Sequence, residues 1–261
     1  MPSVVQSWIH GFHDALAFLT CIVLPRKNST AKELAASTPF FAPVGLVVGL
    51  VSTLTAWLGC TFWGYALSGS VLYMLTAWLW LAVNISITRG LHWDGVADLG
   101  DAAGSGARGE RFRQILKDSR MGAFGAVHLM LAYSGQWIAL AGHIAKDHWL
   151  LLLLAPAWAR AAAVWLAAWT SPSPNAALGS LFCAGVGQRL GCMYQLLGIL
   201  ILTLLAWSGN CAFWQLITTG TLQILLLRYL RALTIRGGGL SGDFLGACIE
   251  WSQLCFLLCT L

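Results

Sequence analysis

Long apolar runs alternate with short polar connections along almost the whole chain. Helices of about 20 residues cross the ~30 Å of hydrocarbon in a bilayer. Seven runs approach that length: 40–62, 69–88, 123–143, 149–169, 190–208, 211–230 and 244–261. A weaker run, 8–24, contains Asp14 and ends at Pro25, so it either spans the membrane or lies in its interface. The pattern predicts an all-α, polytopic membrane bundle of seven or eight transmembrane helices.

The composition agrees with one membrane-embedded domain over residues 1–261. Hydrophobic residues make up 58% of the chain and charged residues only 10%, whereas globular domains have about 25% charged residues. The 14 tryptophans suit a surface that meets lipid headgroups. The eight cysteines form no Cys-x-x-Cys pair and lie mostly in apolar runs, so we interpret them as buried thiols. The lipid bilayer is therefore the first expected partner.

The basic residues predict the orientation of the chain. Thirteen of the 15 lysines and arginines fall in alternate connections, namely 25–38, 89–122, 170–189 and 228–243. Connections rich in lysine and arginine face the cytoplasm. We expect a multi-pass protein of the bacterial inner membrane with these four segments on the cytoplasmic side. The net charge of +5 arises from this asymmetry and does not indicate nucleic-acid binding.

Segment 89–122 holds five of the ten acidic residues. Asp94, Asp98 and Asp101 are four and three residues apart, so in a helix they share one face. Mg²⁺ prefers oxygen ligands and often binds one or two carboxylates together with substrate phosphates. The alternative is a solvated loop paired with the local basic residues. The spacing and the small residues between the aspartates favour a cytoplasmic-facing metal site.

Two flanking stretches complete the predicted site. Residues 110–120 have the pattern of an interfacial helix that, folded back, would bring Asp118 to the metal. Lys117 and Arg120 would then meet phosphate oxygens. The glycine-rich stretch 101–109 is expected to be a mobile loop that admits a bulky substrate.

A second polar segment precedes the final apolar run. Three consecutive glycines, 237–239, can turn sharply and present amide N–H groups to an anion. Ser241 adds a hydroxyl, and Asp243 is either a metal ligand or the N-cap of the last helix. Glu250 lies inside the apolar run and is a functional candidate for that reason. His92 is either a general base or a structural hydrogen-bonding group.

Four stretches together resemble the cobalamin synthase (adenosylcobinamide-GDP ribazoletransferase) family. They are Gly90-Leu-His-Trp-Asp-Gly-Val-Ala-Asp-Leu-Gly-Asp101, Lys117-Asp-Ser-Arg-Met-Gly-Ala-Phe-Gly125, Pro43-Val-Gly-Leu-Val-Val-Gly49 and Gly238-Gly-Leu-Ser-Gly-Asp-Phe-Leu-Gly-Ala247. Their order and spacing hold over most of the chain. Trp93 stands where an aliphatic residue is usual and Ser241 where Thr is usual. Neither departure removes a candidate ligand.

The resemblance implies a reaction, a cofactor and partners. A ribose hydroxyl of α-ribazole, or of its 5′-phosphate, attacks the cobinamide-side phosphate of adenosylcobinamide-GDP, and GMP leaves. Mg²⁺ is the implied cofactor, and the resemblance leaves open a homo-oligomer or a complex with other cobalamin-assembly enzymes. The metal candidates are Asp94, Asp98, Asp101, Asp118 and Asp243. The catalytic candidates are Asp94, Asp98, Asp101 and His92, with Asp101 and His92 as possible bases. The substrate-binding candidates are Lys117, Arg120, Arg236 and Ser241.

Two other functions compete with this interpretation. CDP-alcohol phosphotransferases also place an Asp-Gly-x-x-Ala motif beside membrane helices, but that motif continues with Ala-Arg, whereas Ala97 is followed by Asp98. A transporter would carry its acidic residues along a pore at mid-membrane. The clustered aspartates here lie at the predicted cytoplasmic edge.

Overall fold

The computed structural model describes residues 4–27, 29–173, 177–186 and 211–261, together with 189, 193, 194, 196–198, 200, 201 and 204. Its helices are α1 (Val4–Leu19), α2 (Ala31–Ala35), a 3₁₀ turn (Thr38–Phe40), α3 (Phe41–Trp63), α4 (Gly69–Ile87), α5 (Leu91–Gly104), α6 (Gly109–Leu116), α7 (Ala123–Ala145), α8 (Trp149–Trp169), α9 (Ala177–Gly185), α10 (Phe213–Gly237) and α11 (Gly242–Cys259). Within these residues the extended pairing is limited to one isolated bridge, between Pro172 and Leu240. The predicted all-α architecture is confirmed.

Four of the described helical segments are long and apolar enough to cross a membrane. They are Ala31–Trp63, Gly69–Ile87, Trp149–Trp169 and Gly242–Cys259. The predicted run 190–208 lies largely outside the described residues. Helix α1 has 16 residues, fewer than the ~20 that span a bilayer, and it exposes Trp8 and Ile9. Its length favours the interfacial alternative for the first apolar run.

Two polar stretches are more helical than the sequence predicted. The stretch 101–109 was expected to be a loop, but its first four residues form the last turn of α5, which ends at Gly104. The Ser105 N–H then donates to the Asp101 carbonyl (3.0 Å). Helix α10 continues to Gly237, so Arg236 lies on a helix. It ends where Gly238, with φ +80°, adopts the left-handed conformation that commonly ends helices.

Helix α8 occupies the centre of the described bundle. It packs against α3, α10 and α11, and most of its side chains are buried. Gly45 and Gly49 allow close contact between α3 and α8, because a Cβ on Gly45 would lie 2.5 Å from the Pro156 carbonyl oxygen. Small residues four apart are a common means of bringing membrane helices together. This contact accounts for the glycines of the 43–49 stretch.

A second close contact positions the acidic helix. Helix α5 packs on α11, and a Cβ added to Gly95 would lie 2.5 Å from the Asp243 carbonyl oxygen. On α11, a Cβ added to Gly246 would lie 3.1 Å from the backbone of His92. The small residues between the aspartates, Gly95 among them, were expected from the sequence to favour a metal site. The structure instead uses Gly95 for helix packing, which brings the start of α11 beside the aspartates of α5.

Candidate active site

Three aspartates of α5 and one of α11 form the candidate site. Asp94 is exposed, whereas Asp98, Asp101 and Asp243 are partly buried. Asp243 lies in the first turn of α11 and accepts a hydrogen bond from the Ser241 hydroxyl (2.9 Å). The side chains of Asp94 and Asp98 make no hydrogen bond or ion pair with any residue that the structure describes. The helical spacing predicted from the sequence therefore produces a face with two unpaired carboxylates.

Asp98 lies among the other carboxylates of the cluster. Its pKa rises from 3.8 to about 7, first because the side chain is partly buried and then because Asp94, Asp243 and Asp101 carry like charges. Burial and nearby like charges both disfavour the ionised form of a carboxyl group. A bound cation would relieve this repulsion.

The cluster fits a Mg²⁺ ion that shares its coordination with a substrate. Among the described residues, the structure contains no ready-made group of three or more acidic, histidine or cysteine side chains around one metal position. Mg²⁺ rarely needs such a group, since it usually keeps several waters and binds one or two carboxylates plus phosphate oxygens. The unpaired carboxylates and the raised pKa of Asp98 are consistent with that mode of binding.

Asp101 caps the next long helix. Its carboxylate accepts hydrogen bonds from the N–H groups of Gly122 (2.6 Å) and Gly125 (2.8 Å) at the start of α7. A carboxylate at a helix N-terminus satisfies free N–H groups and interacts favourably with the helix dipole. A Cβ on either glycine would collide with that carboxylate. The glycines of the 117–125 stretch thus make room for Asp101, a role that the sequence analysis did not assign.

Asp118 and Arg120, predicted as metal ligand and phosphate ligand, pair with each other. The Arg120 guanidinium donates to both oxygens of Asp118 (3.0 and 2.8 Å). Hydrogen bonds from the Arg120 side chain and backbone lower the pKa of Asp118 to about 2. Asp118 is also not one of the carboxylates whose negative charge raises the pKa of Asp98. In this structure the Asp118 carboxylate is therefore paired with Arg120 and is not one of the unpaired carboxylates of the site.

Arg236, predicted to bind substrate, instead holds the chain that follows α5. Its Nε donates to the Ala107 carbonyl (2.6 Å) and its Nη2 lies 3.4 Å from the Ala103 carbonyl. Its guanidinium also lies 5.6 Å from the centre of the Phe112 ring. Arginine donors near a helix C-terminus satisfy its free carbonyl groups. The 101–109 stretch was expected to be a mobile loop. In the structure it is hydrogen-bonded to α10 through the Arg236 side chain.

Lys117 and Ser241 retain positions beside the cluster. Both line a small cavity of about 40 Å³, together with Asp243, Arg113 and Gly239. The Lys117 side chain makes no hydrogen bond or ion pair with any described residue. Its ammonium group is therefore available to an anion next to Asp243, and its binding of substrate stays a prediction.

His92 lies apart from the unpaired carboxylates, on the buried side of α5. Only 2% of the residue is exposed, and Nδ1 lies 3.4 Å from the Glu250 carboxylate. Gln136 donates to the other oxygen of Glu250 (3.0 Å), and Arg160 is fully buried. Residues two apart on a helix do not face the same way, so the structure does not bring His92 and Asp94 together. The structure thus separates His92 from the unpaired carboxylates and places its Nδ1 beside Glu250.

The structure also adds residues that the sequence analysis had not placed in the site. A cavity of about 450 Å³ opens beside Asp94 and Asp98, and its lining includes Arg89, Trp93 and Ser119. The sequence offered one weak signal for Arg89, namely its position directly before the acidic helix.

The fold and site define a polytopic helical membrane protein with an acidic, phosphate-compatible centre. A family model described as cobalamin-5-phosphate synthase matches residues 11–261, and the chain belongs to this family. Similar proteins named adenosylcobinamide-GDP ribazoletransferase occur in Nitratidesulfovibrio vulgaris strain DP4 (38% identity, covering 97% of this chain and 98% of the relative), in Syntrophobacter fumaroxidans (38%, covering 96% and 97%) and in Brevibacillus brevis (30%, covering 96% and 97%). No solved structure matches the chain.

The family assignment decides between the functions that the sequence left open. The match covers nearly the whole chain and includes both polar segments. It confirms the resemblance seen in the four motif stretches. It supports neither a CDP-alcohol phosphotransferase nor a transporter.

Proposed function

We propose that this protein joins α-ribazole, or its 5′-phosphate, to adenosylcobinamide-GDP, releases GMP and so assembles the nucleotide loop of cobalamin. The observation that carries the proposal is the match of residues 11–261 to the cobalamin-5-phosphate synthase family. The unpaired carboxylates of α5, with Asp243 of α11 beside them, supply a place for the phosphate chemistry that the reaction needs.

In the proposed reaction a ribose hydroxyl oxygen bonds to the cobinamide-side phosphorus. The bond between that phosphorus and the oxygen bridging to GMP breaks, and GMP takes the electron pair. Asp94 and Asp243 would hold Mg²⁺ with the diphosphate. When bound, this ion would neutralise charge on the phosphates and polarise the attacked phosphorus. Lys117, beside Asp243, would bind a phosphate oxygen from the smaller cavity.

Asp98 is the best-placed proton acceptor for the ribose hydroxyl. The Asp98 carboxylate is unpaired and lines the cavity beside Asp94, and its partial burial raises its pKa above that of an ordinary aspartate, which favours proton acceptance. Asp101 has both oxygens engaged by α7, and His92 faces Glu250. We therefore assign the base role to Asp98 in preference to the two residues named from the sequence.

The decisive experiment measures GMP release and cobalamin formation together by liquid chromatography and mass spectrometry. Purified protein receives adenosylcobinamide-GDP, α-ribazole and Mg²⁺, with EDTA and Asp98→Asn as separate controls. We expect equal amounts of the two products, with turnover lost in both controls. A folded wild-type protein that releases no GMP under these conditions overturns the proposed function. Repeating the assay with α-ribazole 5′-phosphate shows which acceptor is preferred.

We further propose that the carboxylate face lies on the cytoplasmic side of the bacterial inner membrane. The support is the concentration of lysine and arginine in the segments that surround it. Alkaline phosphatase fused after Asp147 should be active, whereas the same enzyme fused after Ser105 should be inactive. The reverse result overturns this orientation.

A further inference from the structure

The turn between α4 and α5 carries an arginine in an unusual backbone conformation. Arg89 has φ +57° and precedes Gly90 at φ +63°. The Gly90 N–H bonds to the Ile85 carbonyl (3.0 Å) and the Arg89 N–H to the Ser86 carbonyl (3.2 Å). This pair of bonds is a Schellman helix end, in which the left-handed position is usually glycine. Because the backbone favours glycine at residue 89, an arginine there carries a conformational cost.

The Arg89 side chain is free to bind a ligand. The residue is exposed, and its guanidinium makes no hydrogen bond or ion pair with the residues that the structure describes. Nearby arginines differ: Arg113 pairs with Glu110, Arg120 pairs with Asp118, and Arg236 binds two carbonyl groups. Left-handed conformations of residues other than glycine are enriched at functional sites. The arginine of this turn is thus one of the few unpaired cations beside the acidic cluster.

Arg89 lines the cavity of about 450 Å³ that opens beside Asp94 and Asp98. Trp93 also lines this cavity, but its indole Nε1–H is closed off from solvent and so is out of reach of a ligand there. The cavity therefore combines one unpaired guanidinium, which suits an anion, with two carboxylates that suit a cation.

We propose that this cavity binds a nucleoside monophosphate group, with its phosphate on the Arg89 guanidinium. Leu91, Met121 and Leu129 line the remainder of the cavity and provide an apolar surface for the ribose and base. The volume lies within the ~300–1,000 Å³ range of small-molecule sites. The identification of the nucleotide as the GMP half of the diphosphate rests on the proposed function. Arg89 would stabilise the negative charge that develops on GMP as it leaves.

Replacing Arg89 by glycine separates this role from folding. Arg89→Gly removes the guanidinium but installs the residue that the left-handed turn favours. Its melting temperature should equal or exceed that of the wild type. Arg111→Ala is the matched control, because Arg111 is an exposed arginine that bonds to Gln114 and does not line the cavity.

The test is calorimetric binding of GMP to the detergent-purified protein with Mg²⁺, with guanosine as the probe that lacks a phosphate. We expect Arg89→Gly to weaken GMP binding about 10- to 100-fold, the usual effect of losing a charge-assisted hydrogen bond. Guanosine binding and the Arg111→Ala variant should match the wild type. An Arg89→Gly protein that binds GMP as tightly as the wild type overturns the proposal.

The turnover assay distinguishes failure of this site from failure of the proposed function. If the wild type releases GMP and Arg89→Gly retains both its GMP affinity and its KM, the site is wrong and the function stands. If the wild type binds GMP in an Arg89-dependent way but never releases it from adenosylcobinamide-GDP, the site stands and the proposed function is wrong.

Discussion

Gly95 of α5 lies directly against the backbone of Asp243 of α11, where an added Cβ would approach the Asp243 carbonyl oxygen to 2.5 Å. This contact sets the distance between the aspartates of α5 and the carboxylate of α11. It links the packing of two helices to the assembly of the site. A substitution at residue 95 therefore tests both.

Gly95→Ala should separate the two helices and impair the site. Overpacking of this kind costs about 1–3 kcal/mol of folding free energy. We therefore expect Gly95→Ala to have a lower melting temperature and a lower affinity for Mg²⁺. Gly220→Ala is the control, because no heavy atom lies within 4 Å of a Cβ built there. Alanine in that helix should leave stability unchanged or raise it. Wild-type stability and Mg²⁺ affinity in Gly95→Ala would show that the contact is unimportant.

Asp94→Asn and Asp118→Asn should differ in their dependence on Mg²⁺. Asp94 is an unpaired carboxylate of the cluster, so its neutralisation should raise the Mg²⁺ concentration for half-maximal activity by at least about 10- to 100-fold, the loss that even outer-shell partners of metal ligands cause when they are mutated. Asp118 pairs with Arg120, so its variant should behave like the wild type. Titration of activity with MgCl₂ measures the difference. Equal effects of the two substitutions would contradict the site described here.

The stabilisation of the protein by Mg²⁺ should increase as pH rises through about 7, the pKa of Asp98. A carboxyl group whose pKa is raised on folding stabilises the fold most below its unfolded pKa of about 3.8. That contribution is lost as pH rises toward 7, because the ionised group is repelled by its neighbours. A cation reverses the repulsion only when Asp98 is ionised. Melting temperatures at pH 6 and pH 8, with and without MgCl₂, should therefore show the larger Mg²⁺ effect at pH 8. An equal effect at both values would argue against a metal beside Asp98.

Asp101→Asn should lower stability more than it alters the response to Mg²⁺. Asparagine keeps one acceptor oxygen for the start of α7 and loses the charge, and weakened caps cost about 0.5–2 kcal/mol. Thermal unfolding and the Mg²⁺ titration should be measured on the same preparation. If stability is retained and Mg²⁺ affinity falls, Asp101 is a metal ligand as the sequence analysis suggested.

Much of the site could be predicted from local spacing. The i, i+4, i+7 pattern of Asp94, Asp98 and Asp101 placed them on one helical face, and α5 has that form. Pairing was harder to predict, because Asp118 and Arg120 satisfy each other and Arg236 binds carbonyl groups of a distant segment. Charge and spacing reveal which residues can bind a ligand. They do not reveal which of them already have a partner in the fold.

The sequence by itself determined the all-α membrane architecture and the family, because apolar run length and motif spacing are local properties of the chain. The tertiary structure decided how the candidates are used. The packing of Gly95 on Asp243 brings α11 to the acidic face, the approach of α7 engages Asp101, and the burial of His92 against Glu250 removes it from that face. These outcomes depend on contacts between residues far apart in the chain, which no local pattern encodes.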